Sequence, residues 1–165
     1  MATLRAVDPI AEARRQWEVH GWTEAAPGMA ALTSVMRAQQ LFLARVEGHL
    51  APFGLTFARY ELLRLLAFSR AGELPMGKLG DRLQVHPTSV TNAVNRLVDQ
   101  GHVRRRPHPT DGRTTLAAIT PSGRRVVEKA TGVLNAEVFT DLGLSGTEVD
   151  TLFRLLAKVR RAAGD

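Results

Sequence analysis

A mainly α fold with one small β-hairpin, an α+β arrangement, is what this sequence predicts, and three observations predict it. Apolar residues recur every three to four positions along most of the chain, the period of helices with one covered face. The period drops to two at "VRRRP" and "TTLAAIT", which flank a loop holding Pro109, Asp111 and Gly112; that is the pattern of a hairpin. Prolines and short hydroxyl residues stand where helices begin. At 165 residues, 44% of them hydrophobic, the chain is long enough for one compact domain with an added helical layer.

The first helix starts at Pro9 and sets Ile10, Ala13, Trp17 and His20 on one side; "TEAAPG" breaks it, so residues 1–28 read as an N-terminal extension. "MAALTSVMRAQQLFLARVEGHL" then carries Leu32, Val35, Met36, Leu43, Val46 and Leu50 over more than five turns, ending at Pro52 and Gly54. Thr56 caps "FARYELLRLLAFSR", and "AGEL" is a loop. Pro75 and Pro87 suit the first turns of "PMGKLGDRL" and "PTSVTNAVNRLVDQ", and Gly101 closes the latter. After the hairpin, Thr120 and Pro121 open "SGRRVVEKATGVLNAEVFTDL", weakened at Gly132 by ~1 kcal/mol relative to alanine. Ser145 and Glu148 form a capping-box pattern before "TEVDTLFRLLAKVRRAA".

Composition narrows the chemistry. The 22 Lys+Arg exceed the 16 Asp+Glu by a net +6, which favours a polyanionic partner. With no cysteine there is no disulfide, thiolate metal site or thiol nucleophile. His20, His49, His86, His102 and His108 show no i, i+4 pair and no carboxylates at ligand spacing, so no metal is expected. No phosphate-cradling glycine loop, paired-carboxylate pattern or nucleophile motif occurs; the expectation is no catalytic residue, no cofactor and no enzyme activity. "MATLRAVDPIAEARR" lacks the apolar run of a signal peptide, and no apolar stretch of about 18 residues follows, so a cytoplasmic protein without a membrane partner is expected.

Residues 76–97 hold the skeleton of a helix-turn-helix in Met76, Leu79, Gly80, Leu83, Val85, Val90, Val94 and Leu97, with small Gly80 where two steeply crossed helices touch. The second helix then exposes Thr88, Ser89, Thr91, Asn92, Asn95 and Arg96. Short hydrogen-bonding groups there either keep the helix soluble or meet base edges and phosphates in a major groove, where Asn can pair with adenine in two-pronged fashion.

The hairpin weighs toward the second reading. Residues 102–113 set Arg104, Arg105, Arg106 and Arg113 against Asp111 alone, a net +3 before His102 and His108 are counted. A basic hairpin after the second helix is the wing of a winged helix-turn-helix, here spanning residues 55–119. Alternation sends Arg105 to the face opposite Arg104 and Arg106. Arg104, Arg106 and His108 are placed toward the sugar-phosphate backbone and Arg113, at the tip, toward a minor groove. Asp111 is read as structural, orienting Arg113 or a strand arginine. His86 caps the second helix or touches phosphate, and His102 packs beside the strand start.

The order of these segments, together with the wing motif "DGR" at Asp111 and Arg113, resembles the MarR family of bacterial transcription regulators over about residues 29–162. The resemblance implies a homodimer joined by its first and last helices, bound to a pseudo-palindromic stretch of double-stranded DNA and often released by a small effector, commonly aromatic and anionic. Trp17 resembles a feature of the family's PecS-like, urate-responsive branch. Residues 29–54 and 120–165 are thus the dimerisation region. Physically, Val126, Val127, Ala130, Val133, Leu134, Val138 and Phe139, with Val149, Leu152, Phe153, Leu155, Leu156 and Val159, exceed what one small winged domain covers, so a partner chain would bury the surplus; the alternative is an intrachain helical core.

Arg37 is the sole charge between Met29 and Ala44. A cation on so apolar a helix either pairs with an effector anion, reaches solvent or makes a structural ion pair. Tyr60 and Trp17 are the accompanying aromatic candidates, with core packing as the alternative. The sequence-based conclusion is a homodimeric, ligand-responsive DNA-binding regulator acting by operator occupancy. The alternative is a winged-helix module that binds protein without specific DNA binding.

Overall fold

The computed structural model describes residues 8–164. It contains seven α-helices: α1 (Pro9–Val19), α2 (Ala26–Leu50), α3 (Phe57–Phe68), α4 (Met76–Leu83), α5 (Pro87–Asp99), α6 (Pro121–Leu134) and α7 (Gly146–Ala162). Three strands accompany them, β1 (Glu73–Pro75), β2 (Val103–Pro107) and β3 (Thr115–Ile119), in an antiparallel sheet of order β1-β3-β2. Chain contacts divide the protein into one compact unit through Arg45 and a second from Val46 onward.

In the first unit, Asp8 caps α1 by accepting from the Ile10 amide at 2.9 Å. The break comes earlier than expected: α1 ends at Val19, Gly21 is left-handed, and α2 begins at Ala26, so the last three residues of "TEAAPG" are already helical. Pro27 is tolerated there because the first turn of a helix needs no donor from it.

The second unit starts its core with Val46 and Leu50 and adds Leu62, Leu63 and Leu66 from α3, Leu79 from α4, and Val90, Val94 and Leu97 from α5. Thr56 caps α3 as expected, accepting from the Arg59 amide. The "AGEL" segment is not wholly loop: Glu73–Pro75 pairs with β3, Glu73 opposite Ala118 and Leu74 opposite Ala117. A strand of three residues is too short to show a period. Its pairing partner lies more than forty residues downstream, so only the folded sheet reveals it.

The hairpin register sets Arg104 opposite Ala118, Arg105 opposite Ala117 and Arg106 opposite Leu116. Val103, Ala117 and Ile119 join the core. Thr120 then does two things. Its hydroxyl oxygen accepts from the Gly123 amide and its hydroxyl donates to the Gly101 carbonyl at 2.8 Å, tying the start of α6 to the end of α5.

Downstream of β3, the expected long helix is α6 followed by a π-helical turn, Asn135–Phe139. Val127, Ala130, Leu134 and Val138 are buried in the winged unit's own core. This corrects the expectation that this helix's apolar side is surplus to the domain. The surplus lies on α7, which buries no residue and leaves Phe153, Leu155 and Val159 exposed. Its capping box is present: Ser145 and Glu148 exchange side-chain and backbone bonds.

Candidate nucleic-acid interface

The exposed face of α5 follows from its buried one. Val90, Val94 and Leu97 recur at helical spacing and are 2%, 0% and 0% exposed, which turns Thr88, Ser89, Thr91, Asn92, Asn95 and Arg96 to solvent. His86 caps the helix, its Nδ1 accepting from the Thr88 amide at 3.2 Å. At the turn before it, Gln84 adopts a left-handed conformation with φ 53°, and a Cβ on Gly80 would sit 3.5 Å from the Val85 carbonyl oxygen. That Cβ would also lie 3.7 Å from Val90 Cγ2, so Gly80 sits at the contact of α4 with α5, at distances that an alanine would also fit.

The polar face of α5 has two flanks. On one, Thr91 lines a groove with Lys78 of α4, Arg105 of β2 and Arg113 of the hairpin tip. On the other, Asn92 and Arg96 border an open recess with Thr56 and Arg59 at the start of α3. Both flanks set short polar groups beside cations, the combination that meets base edges and phosphates together.

The three consecutive arginines have three different surroundings. Arg105 turns toward α5 and donates to the Asn95 side-chain oxygen at 2.5 Å. Arg106, on the opposite face, pairs with Glu73 of β1 at 3.1 Å. Among the described residues, the guanidinium groups of Arg104 and Arg113 have no protein partner. Arg106 was expected among the wing's DNA contacts; in the free chain its partner is a carboxylate of the unforeseen strand β1. An exposed pair of this kind is weak, worth about 0–1 kcal/mol.

Asp111 is structural, but not through a guanidinium. One carboxylate oxygen accepts from the Arg113 backbone N–H at 3.0 Å and the other from the Thr114 hydroxyl at 2.6 Å. These bonds, the Thr114 hydroxyl foremost, hold its carboxyl below the usual carboxylate range. Asp111 thus shapes the loop that carries Arg113 and leaves that cation free. His108 closes the same loop: its amide donates to the Thr114 carbonyl at 3.0 Å, and its ring Nδ1 accepts from the Thr110 amide at 3.3 Å. His102 is half-buried at the start of β2, 3.3 Å from the Ser122 hydroxyl, and burial lowers its pKa.

Sequence reasoning missed Arg105, Lys78 and Arg59 as members of these flanks. For Arg105 the signal was present, since alternation already turned it from its neighbours toward α5. Lys78 and Arg59 carry no such mark; helix crossing brings them beside α5.

The effector candidates occupy separate settings. Arg37 is exposed on α2 and donates to the Gln40 side-chain oxygen at 3.3 Å, so within one chain its charge stays in water. Trp17 packs edge-on against Trp22 at 5.3 Å between ring centroids. Tyr60 is buried, 6% exposed, its ring stacked on Phe57 and its hydroxyl 3.1 Å from the Thr131 hydroxyl. The cation that is largely enclosed is Arg64, overlooked in the sequence. It bonds Glu128 at 2.9 Å, the Val127 carbonyl at 3.0 Å and Thr131 at 2.6 Å, and lies over the Phe68 ring. These contacts lash α3 to α6.

Among the described residues, no group of three or more His, Cys, Asp or Glu is arranged to hold a metal ion, and no helix is long and apolar enough to cross a membrane.

Comparison with known proteins bears on this geometry. Residues 53–114, from the turn before α3 to the wing, match the family described as the MarR family. An HTH-type transcriptional regulator of Mycobacterium leprae is 37% identical over 70 residues, 42% of this chain and 49% of that protein, so the match spans about half the length of this relative. The crystal structure of Sco5413, a MarR family transcriptional regulator from Streptomyces coelicolor, superposes with a TM-score of 0.77 at 55% identity, covering 84% of this chain and 96% of that one. A mutant MarR from Escherichia coli complexed with operator DNA superposes with a TM-score of 0.71 at 27% identity, covering 77% of this chain and 91% of that one.

Proposed function

This chain belongs to the MarR family, and from that premise we propose that it is a sequence-specific DNA-binding transcription regulator, a homodimeric repressor that a small effector releases from a pseudo-palindromic operator. The observation that carries the DNA-binding part is the groove in which Thr91 of α5 stands beside Lys78, Arg105 and Arg113. A helix with a polar exposed face enters a major groove, while flanking cations neutralise phosphates on either side. Thr88, Ser89, Thr91, Asn92, Asn95 and Arg96 meet base edges or the adjacent backbone. Arg104 and Arg113, free of protein partners, take phosphate and the neighbouring minor groove. No step is chemical; regulation is by occupancy, since a bound operator blocks transcription.

The exposed apolar residues of α7, Phe153 on one side and Leu155 with Val159 on another, support pairing. Phe153, Leu155 and Val159 are 65%, 59% and 65% exposed, an arrangement of large apolar groups that a second chain would cover. Two-fold pairing would set the two α5 helices about 34 Å apart, one DNA turn. An anionic effector would meet Arg37; Trp17 and Tyr60 are separate aromatic candidates, each within its own unit.

The test is a gel-shift series against genomic fragments, including the DNA beside the chain's own gene, with random duplex as the reference. The expected result is preferential retention of at least one fragment, weakening steeply with salt, with a slope lowered by about one in Arg113→Ala. A panel of aromatic acids then tests release, and loss of that response in Arg37→Ala is expected. Equal retention of all fragments would favour the protein-binding alternative.

A further inference from the structure

Two asparagines sit on the exposed face of α5, and the structure treats them differently. Asn92, on the flank shared with Arg59 and Arg96, has no side-chain partner among the described residues, so its amide is free to turn either way. Asn95 is held: the Arg105 Nη2 donates to its side-chain oxygen at 2.5 Å. A guanidinium has five donors and no acceptor, so only the amide oxygen of Asn95 can face it, and the NH₂ must point away from the wing.

We propose that Arg105 is a positioning residue that determines what Asn95 reads, turning its NH₂ toward the DNA so that it selects a hydrogen-bond acceptor there. This inference rests on the DNA-binding reading above. Adenine is recognised by an asparagine whose oxygen accepts from N6 while its NH₂ donates to N7, which requires both ends of the amide. With the oxygen turned to the wing and one of its two lone pairs taken by Arg105, the edge that Asn95 presents to the DNA is its NH₂, with two N–H donors. Their partners in the major groove are guanine O6 and N7 or thymine O4; adenine offers only N7, beside an N6 amino group that repels a second donor, and so ranks below them. Asn92 stays competent for adenine and is the internal contrast.

Three features of the fold make the coupling specific. Strand alternation sends Arg105, alone of the three consecutive arginines, to the face shared with Val103 and hence toward α5. Arg106 is occupied by Glu73 on the other face and does not compete. Thr91, one helical turn before Asn95, lines the same groove as Arg105, so the held amide lies on the flank facing the wing.

In vitro selection from randomised duplex with the full chain tests this, comparing wild type with Asn95→Ala, Arg105→Ala, Arg105→Lys and Asn92→Ala. All three positions are exposed, and thermal melting verifies folding. The expected wild-type profile has one position, located by its loss in Asn95→Ala, that prefers guanine or thymine over adenine by about tenfold. Arg105→Ala admits adenine at that position and leaves the others unchanged. Arg105→Lys, still donor-only, keeps the preference. Replacing guanine there with 7-deazaguanine, or thymine with a base lacking O4, identifies which acceptor is read. Adenine at the Asn95-dependent position in wild type overturns the inference. So does an Arg105→Ala profile that is uniformly weaker but unchanged in preference, or an Asn95→Ala profile that changes at no position. Failure of wild type to enrich any sequence would instead bring down the DNA-binding reading on which the inference depends.

Discussion

At Gly123 the first turn of α6 comes so close to the start of β2 that an added Cβ would lie well inside contact distance of the His102 carbonyl oxygen and 2.9 Å from the Ile119 side chain. Backbone cannot yield as a flexible side chain can, so Gly123→Ala is expected to destabilise the chain by about 1–3 kcal/mol, read from the urea midpoint. Asp111 gives a sharper test, because its charge and its geometry predict opposite signs. Removing a carboxylate from a basic wing would strengthen DNA binding if charge alone mattered. If its two bonds to the Arg113 amide and the Thr114 hydroxyl shape the loop, Asp111→Ala weakens operator binding. Titration at fixed salt decides, and the structural outcome is expected. The sequence made Asp111 legible as a structural residue. Its hydrogen-bond partners were not, because an Asx-type turn and a guanidinium bridge are both available to an Asp two residues before an Arg.

At the scale of elements, α7 is the least satisfied part of the second unit. Its capping box starts it firmly, yet Phe153, Leu155 and Val159 remain in water. If pairing with a second copy covers these residues, Phe153→Glu with Leu155→Glu shifts the sedimentation coefficient from dimer to monomer while the far-UV dichroism stays helical. A wild-type chain that sediments as a monomer at working concentration would remove the basis for pairing. The cap of α6 behaves differently, since Thr120 bonds both forward to Gly123 and back to Gly101. Thr120→Ala is expected to cost about 1–2 kcal/mol by urea denaturation, at the upper end for a cap, because the same hydroxyl joins two elements.

For the molecule as a whole, acidification has a definite sign. Asp111, Glu128 and Glu148 have pKa values lowered by hydrogen bonds from Thr114, Arg64 and Ser145 respectively. Their contribution is present above the unfolded carboxylate pKa and is lost as pH falls through the lowered folded values. His102 acts in the same direction at higher pH. Burial lowers its pKa below 6.5, so the folded state resists the proton that the unfolded chain accepts, and stability declines as pH falls below about 6.5. Glu61 works the opposite way: burial raises its pKa, so its carboxyl favours the folded state when protonated and that contribution fades as pH rises. The melting temperature is therefore expected to fall on acidification from pH 7 to 5, and His102→Asn should flatten that part of the profile.

By itself the sequence determined the helices, their caps and the hairpin, because these depend on spacing and on bonds between residues near one another: Thr56, His86, Thr120 and Ser145 all cap as their positions predict. It also determined that the wing is basic and that Arg105 points away from its neighbours. Only the tertiary structure decided which cation meets what. Glu73 reaches Arg106 through a strand too short to show a period, and Arg64 is enclosed by groups more than sixty residues away in α6. The physical reason is that periodicity fixes the direction a side chain leaves its own element, whereas its partner is set by packing between elements distant along the chain.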